Sequence, residues 1–591
     1  MRFCRRNIFS LLYVCSIFLS LSACSATPDK LLSSNTHFTN PIITGGYPDP
    51  SICQLDDYFY IVNSSFEYYP GLPIHRSKDL VNWELVAYGL QRESQVTGAV
   101  NLVDVQSNGG IHAPTIRCRK ENGKNRFYII TTNVYTPTGK NAKTEFVNFV
   151  LTADDIQGPW SDPLVLEGAP GIDPDIFFDD DGRVWYAGTH SPENPTFPGE
   201  GEIWLQEIDT ASWELTGERH FLWRGACGGT WAEGPHLYKH DGRYYLLIAE
   251  GGTGFNHAVM IAVSDDITGP YVPNERNPIM TSRHLSYDYW VNSTGHADMI
   301  QLGDGRWYMV ALGKRNDEQR MSNMGRETHL LPVEWEREPF WWKEPKYDWP
   351  VVSKESGRLE KAYPLPFGSR QQPNINFRDE FDSSKLGLEW NFRRFPERRT
   401  YSLSESPGYL RLFSQSGSIT ERGRASLLGV RQKQSDFVYT VAMLFNPSTN
   451  NSEAGISLFQ KDDNYINFTT KQQNNKIYLQ LFVAQPEDPA SSMKSDTSSD
   501  PVSRKVIQSA ELPKYRGEIV FKVESKESRN TYRYSLDGGK TYQDFAQSSA
   551  DIILSKGYTG AYLGLYSSSN GSSSEDFADF DWVEYTLFPR N

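Results

Sequence analysis

Three acidic residues occur in matching short segments: Asp49 in Tyr47-Pro48-Asp49-Pro50-Ser51-Ile52, Asp173 in Ile172-Asp173-Pro174-Asp175-Ile176-Phe177, and Glu233 in Trp231-Ala232-Glu233-Gly234-Pro235-His236. Two further segments align with these. Ile111-His112-Ala113-Pro114-Thr115-Ile116 offers His112, and Gly295-His296-Ala297-Asp298-Met299-Ile300 offers His296. A single Asp-Pro is usually a strand-opening turn. An acid or imidazole at or beside the residue before the shared Pro in aligned segments instead directs one functional group per segment at a common volume. Carboxylates crowded together repel, so their grouping implies a use that offsets the cost. Cleavage of a glycosidic bond is one such use. It needs a protonated acid for the leaving oxygen and an ionised partner for water or for the sugar. A third carboxylate can hold the acid's pKa up by like-charge repulsion.

The elements that position these groups follow from a repeat. A turn, two aromatics and a short apolar run recur around Tyr60, Tyr128, Tyr186, Tyr245 and Tyr308. A unit of about 60 residues, seen five times, predicts a five-bladed β-propeller over residues 38–352. The five acid- or imidazole-bearing segments lie one strand ahead of each marker Tyr, which predicts that they form the innermost strands. Residues 353–376 are polar and Pro-bearing and read as a linker. Short alternating strands then predict a β-sandwich over residues 377–591. The all-β class also suits the composition, which includes 15 Trp, 32 Tyr and 31 Phe.

The net charge of −14, with no basic stripe, argues against nucleic acid and favours a neutral oligosaccharide as partner. Arg2, Arg5 and Arg6 precede an apolar stretch at residues 8–21, too short for a membrane span. Residues 1–23 therefore read as an export signal. Leu21-Ser22-Ala23-Cys24 resembles a bacterial lipobox, which implies lipidation of Cys24, a tether over residues 24–37 and anchorage to the cell envelope. The alternative is an ordinary signal peptide. Once the signal is removed and Cys24 lipidated, Cys53, Cys118 and Cys227 remain. This odd number is expected to be buried thiols without a disulfide framework.

Taken together, the chain resembles glycoside hydrolase family 43, the β-xylosidase and α-L-arabinofuranosidase group. The matching residues include Gly46 to Ile52, Ser65-Phe66-Glu67-Tyr68-Tyr69-Pro70-Gly71, Ile172-Asp173-Pro174, Glu233-Gly234-Pro235-His236-Leu237, Ala249-Glu250-Gly251-Gly252-Thr253, Gly295-His296-Ala297-Asp298 and Gly325-Arg326-Glu327-Thr328. The second half is similar to the concanavalin-like jelly roll of the xylosidase-like branch. The resemblance implies an inverting, exo-acting glycosidase with Asp49 as general base, Glu233 as general acid and Asp173 as modulator of its pKa. It implies that Phe66, His112, Thr253 and Arg326 shape the sugar subsite, although His112 stands where many relatives have Trp. It requires no cofactor. His296 matches an axial His that in many relatives neighbours a structural Ca²⁺ through water; the other reading is a buried, hydrogen-bonded His. Two further functions stay open on the sequence: a non-catalytic surface glycan-binding lipoprotein, and a related five-bladed hydrolase acting on arabinan or galactan.

Overall fold

Tight turns set the strand pairing. Asn122 and Gly123 both take positive φ, as do Asp241 and Gly242. These two-residue turns close the pairs Glu121 with Lys124 and His240 with Arg243, the hairpin geometry that Asn-Gly and Asp-Gly favour. The computed structural model describes residues 36–588 except 140, 227, 317–321, 339–345, 373–374, 421, 423–424, 488–501 and 556. The export signal, most of the tether and Cys24 lie outside the described residues.

Five antiparallel sheets form the blades, with Ser51–Leu55, Gly110–Glu121, Ile172–Phe178, Glu233–His240 and Val291–Gln301 as their first strands. Each first strand packs on its neighbours and the fifth returns to the first, closing a ring. The predicted inner strands are thus the observed ones. The ring is fastened by the segment before Asp49, which runs along blade five. There the Tyr47 amide donates to the Arg326 carbonyl at 3.1 Å and the Asn40 side chain donates to the Leu330 carbonyl at 2.9 Å.

Two eight-stranded sheets follow, facing each other across a core that includes Leu428, Ile456, Phe468, Phe521, Leu565 and Val583. This matches the predicted sandwich. Two features depart from the sequence reading. Ala362–Pro364, inside the segment read as a linker, pairs with His37–Thr39 and so pins both ends of the propeller half. Tyr68–Tyr69, within blade one, pairs with Asn391–Arg393 and completes a sheet of the sandwich.

The cysteine expectation is corrected. Cys53 and Cys118 form a disulfide with a Cα–Cα distance of 6.0 Å. They lie on adjacent inner strands, so the blade repeat brings together residues that counting alone left unpaired. Cys227 lies outside the described residues.

Candidate active site

The inner strands share a backbone device that aims their functional groups. The residue before each shared Pro, or before Ala297, is left-handed: Asp49 has φ 52°, Ala113 37°, Asp173 55°, Gly234 60° and His296 41°. In blades two to five the strand register also shifts at this point, marking a bulge. A non-glycine residue at positive φ is strained, and a following Pro restricts it further. The strain recurs because the bend turns a side chain off the sheet and toward the axis. Two positions per blade result. Asp49, Asp173 and His296 occupy the bend itself, and His112 and Glu233 the residue before it.

Asp49 is 5 % exposed. Its carboxylate accepts from Arg326 Nη1 at 2.9 Å and Nη2 at 3.4 Å, and from Ser64 Oγ at 2.6 Å. Burial alone would raise its pKa. The Arg326 guanidinium foremost, with His296 and the Ser64 hydroxyl, outweighs burial and holds Asp49 below the ordinary carboxylate value. Asp49 is therefore ionised at neutral pH and fixed in direction.

Glu233 behaves oppositely. Burial first, and the Asp49 charge second, push it up to about 7 against a smaller opposing effect of Arg326. Asp173 is raised as well, by burial and then by the charges of Glu233 and Asp49. The Gly234 amide donates to Asp173 Oδ2 at 3.1 Å, tying Asp173 to the bend beside Glu233. Glu233 and Asp173 titrate as a pair that cannot easily hold two negative charges. The ring therefore keeps one carboxylate charged and a proton available beside another.

Arg326 links the remaining predicted residues. Its Nη1 donates to Thr253 Oγ1 at 3.1 Å. Its guanidinium lies 5.4 Å from the Phe66 ring centroid and 5.3 Å from that of Tyr558. Phe66 meets His112 edge-on at 4.8 Å and stacks on Tyr558 at 5.7 Å. Burial lowers the His112 pKa to about 4, so the ring is neutral, with Nδ1 3.0 Å from the Gly110 carbonyl. Gly110 cannot be replaced cheaply, because a Cβ there would stand 2.2 Å from the Phe66 oxygen. All of the predicted subsite residues therefore belong to one connected wall.

Two of the groups here were missed on the sequence. Tyr558 comes from the sandwich and has no local signal. Its amide donates to Asn108 Oδ1 at 3.0 Å and its carbonyl accepts from Arg326 Nε at 3.3 Å. Ser64 lies in a segment that matches a glycosylation acceptor, a match that distracts from its hydroxyl.

Below the site, Arg117 occupies the axis. It donates to Asp175 at 2.8 Å and to Asp298 at 3.0 Å, and contacts His236 Nδ1 at 3.2 Å. His296 packs against Gly234 and lies 4.0 Å from Asp49, a carboxylate already paired with Arg326. Arg117 supplies a positive charge on the axis, where the expected Ca²⁺ would be held by His296 through water. Among the described residues, His240, Asp241 and Asp348 are the grouping whose ligand atoms converge, and His240 ends the inner strand that Glu233 opens.

Comparisons with known proteins identify the family of both halves. The family model described as glycosyl hydrolases family 43 matches residues 38–340, and one described as the beta xylosidase C-terminal concanavalin A-like domain matches residues 378–586. A protein named xylosidase/arabinosidase from Butyrivibrio fibrisolvens is 37 % identical over 551 residues, covering 92 % of this chain and 98 % of that one. A non-reducing end alpha-L-arabinofuranosidase, BoGH43B, from Bacteroides ovatus is 34 % identical over 553 residues, covering 93 % and 94 %. Among solved structures, a xylan beta-1,4-xylosidase from Bacillus halodurans superposes with a TM-score of 0.79 at 28 % identity, covering 93 % of this chain and 100 % of that one.

Proposed function

The chain belongs to glycosyl hydrolase family 43, and from that premise we propose that it is an exo-acting, inverting glycosidase that releases terminal β-D-xylosyl or α-L-arabinofuranosyl units from neutral oligosaccharides. The carrying observation is the opposed state of two carboxylates in one ring. Asp49 is locked ionised by Arg326 and Ser64, while Glu233 is pushed up to about 7.

In this reading Asp49 takes a proton from water as the water oxygen bonds to the anomeric carbon. Glu233 gives its proton to the departing glycosidic oxygen as the old C–O bond breaks. A single displacement inverts the anomeric centre. Asp173, raised by burial and by the Glu233 and Asp49 charges, forms with Glu233 a pair that disfavours a second negative charge and so retains a proton beside the leaving oxygen. Arg326, Thr253, Phe66, His112 and Tyr558 would wall the terminal sugar, and the wall supplied by the sandwich favours attack at chain ends. The names of the relatives support pentose substrates.

Asp49→Ala and Glu233→Ala are each expected to lose more than ~10³-fold in kcat/KM on aryl pentosides, because a positioned acid or base contributes on that scale. Wild-type rates in both variants would sink the assignment. Parallel rates on 4-nitrophenyl β-D-xyloside and α-L-arabinofuranoside decide the sugar. A chain reaching the envelope through Cys24 would do this work outside the cytoplasm. The Cys53–Cys118 disulfide supports that placement, since such bonds persist in oxidising compartments.

A further inference from the structure

An acid that protonates the leaving oxygen must face the leaving group, so whatever follows the scissile bond lies on the Glu233 side of the ring. That side carries a large exposed aromatic. Trp231, two residues before Glu233, is 51 % exposed, although Trp is highly buried on average. It is not loosely held. Its backbone is left-handed, with φ 60°. Its amide donates to the Gly199 carbonyl at 2.6 Å, and the Gly251 amide donates to the neighbouring Thr230 carbonyl at 2.7 Å. The loop leading to it is fixed by the buried Glu250, which accepts from the Gly229 amide at 2.6 Å and the Ala226 amide at 3.2 Å.

The indole rests on glycine. A Cβ on Gly199 would come within 2.7 Å of the ring, and one on Gly252 within 2.9 Å. Both positions must stay bare for the ring to lie there. Gly252 adjoins Thr253, whose hydroxyl accepts from Arg326, so the loop backing the indole also reaches the catalytic wall. A rigid, half-open aromatic ring offers a flat apolar surface whose ordering cost is already met in the free protein.

We propose that Trp231 is the platform on which the sugar of the leaving group stacks, so that the preferred substrate is a pentosyl unit joined to another saccharide. This rests on the assignment of Glu233 as the acid. Phe255, three residues after Gly252 in the same loop, is 53 % exposed and meets Tyr287 edge to face at 5.6 Å.

The test uses the full chain with Trp231→Ala and Trp231→Phe. Two quantities are read: kcat/KM on a pentosyl oligosaccharide, and the inhibition constant of the free pentose, which fills only the terminal-sugar subsite. Loss of one stacking ring predicts a drop of about five- to tenfold in kcat/KM for Trp231→Ala. Most of the loss should appear in KM and be recovered by Trp231→Phe, with pentose inhibition unchanged. Unchanged kcat/KM overturns the proposal. An equal loss in pentose inhibition also overturns it, by placing Trp231 at the terminal sugar. If the wild-type chain releases no pentose, the Glu233 assignment falls instead. Calorimetric binding of the same oligosaccharide then decides the platform: weaker binding by Trp231→Ala supports it and equal binding overturns it.

Discussion

Single residues divide the labour by environment. Asp49 and Glu233 are both carboxyls near one axis, yet the Arg326 guanidinium holds one charged while burial holds the other protonated. A pH profile follows. The base must be ionised and Asp49 is depressed, so activity should persist on the acid side until the pH falls below the ordinary carboxylate range. The acid must be protonated and Glu233 is raised, so activity should fall as pH rises through about 7. A plateau extending well above pH 8 in kcat/KM would contradict this. The acids and His296 were legible as a pattern because each precedes a Pro or a small residue in an aligned segment. Their separate charge states were not legible. Those come from Ser64 and from Arg326, which lies 277 positions from Asp49, and no local window joins them.

Among elements, the inner strand is the unit that repeats, and its bend is what the chemistry uses. The repeated marker Tyr revealed five such strands. The bend offers two successive positions, with Asp49, Asp173 and His296 at the bend and His112 and Glu233 one residue ahead of it. The axis beneath is held by Arg117 between Asp175 and Asp298, with Ser51 and Tyr238 also donating to Asp298 at 2.7 and 2.6 Å. Arg117→Met would leave two buried carboxylates short of their counter-charge. Breaking a buried pair in this way costs about 3–5 kcal/mol. Urea unfolding should show that loss, and a change below about 1 kcal/mol would mean the pair is replaceable. The cysteines failed on the sequence for a related reason. Cys53 and Cys118 are 65 residues apart, close to one blade, and pairing across a repeat depends on strand order.

At the scale of the whole molecule, the two halves are not separable modules. The sandwich borrows Tyr68–Tyr69 from blade one and returns Tyr558 to the catalytic wall. Between them, buried Glu67 accepts from Arg393 at 3.2 Å, and Arg393 and Arg394 both pair with Asp462. A chain ending at residue 376 would strip Glu67 of Arg393 and Tyr68–Tyr69 of their strand partner, so little folded, active propeller is expected on gel filtration and activity assay. Tyr558→Ala separates structure from function. It should fold normally yet raise KM about tenfold, as loss of an aromatic contact of this kind implies. An unchanged KM would remove Tyr558 from the site. The change of fold from propeller to sandwich was readable from the shift to short alternating strands. The shared strand was not, because Tyr68 and Tyr69 look like any other aromatic pair of a blade.

If Asp49 activates water for direct displacement while Glu233 protonates the departing sugar, the anomeric centre inverts in one step. Proton NMR of the first released pentose tests it most directly. A β-xyloside should yield α-xylose first, with the β anomer growing only as mutarotation proceeds. Early appearance of the β anomer would mean a covalent intermediate and would contradict the role given to Asp49.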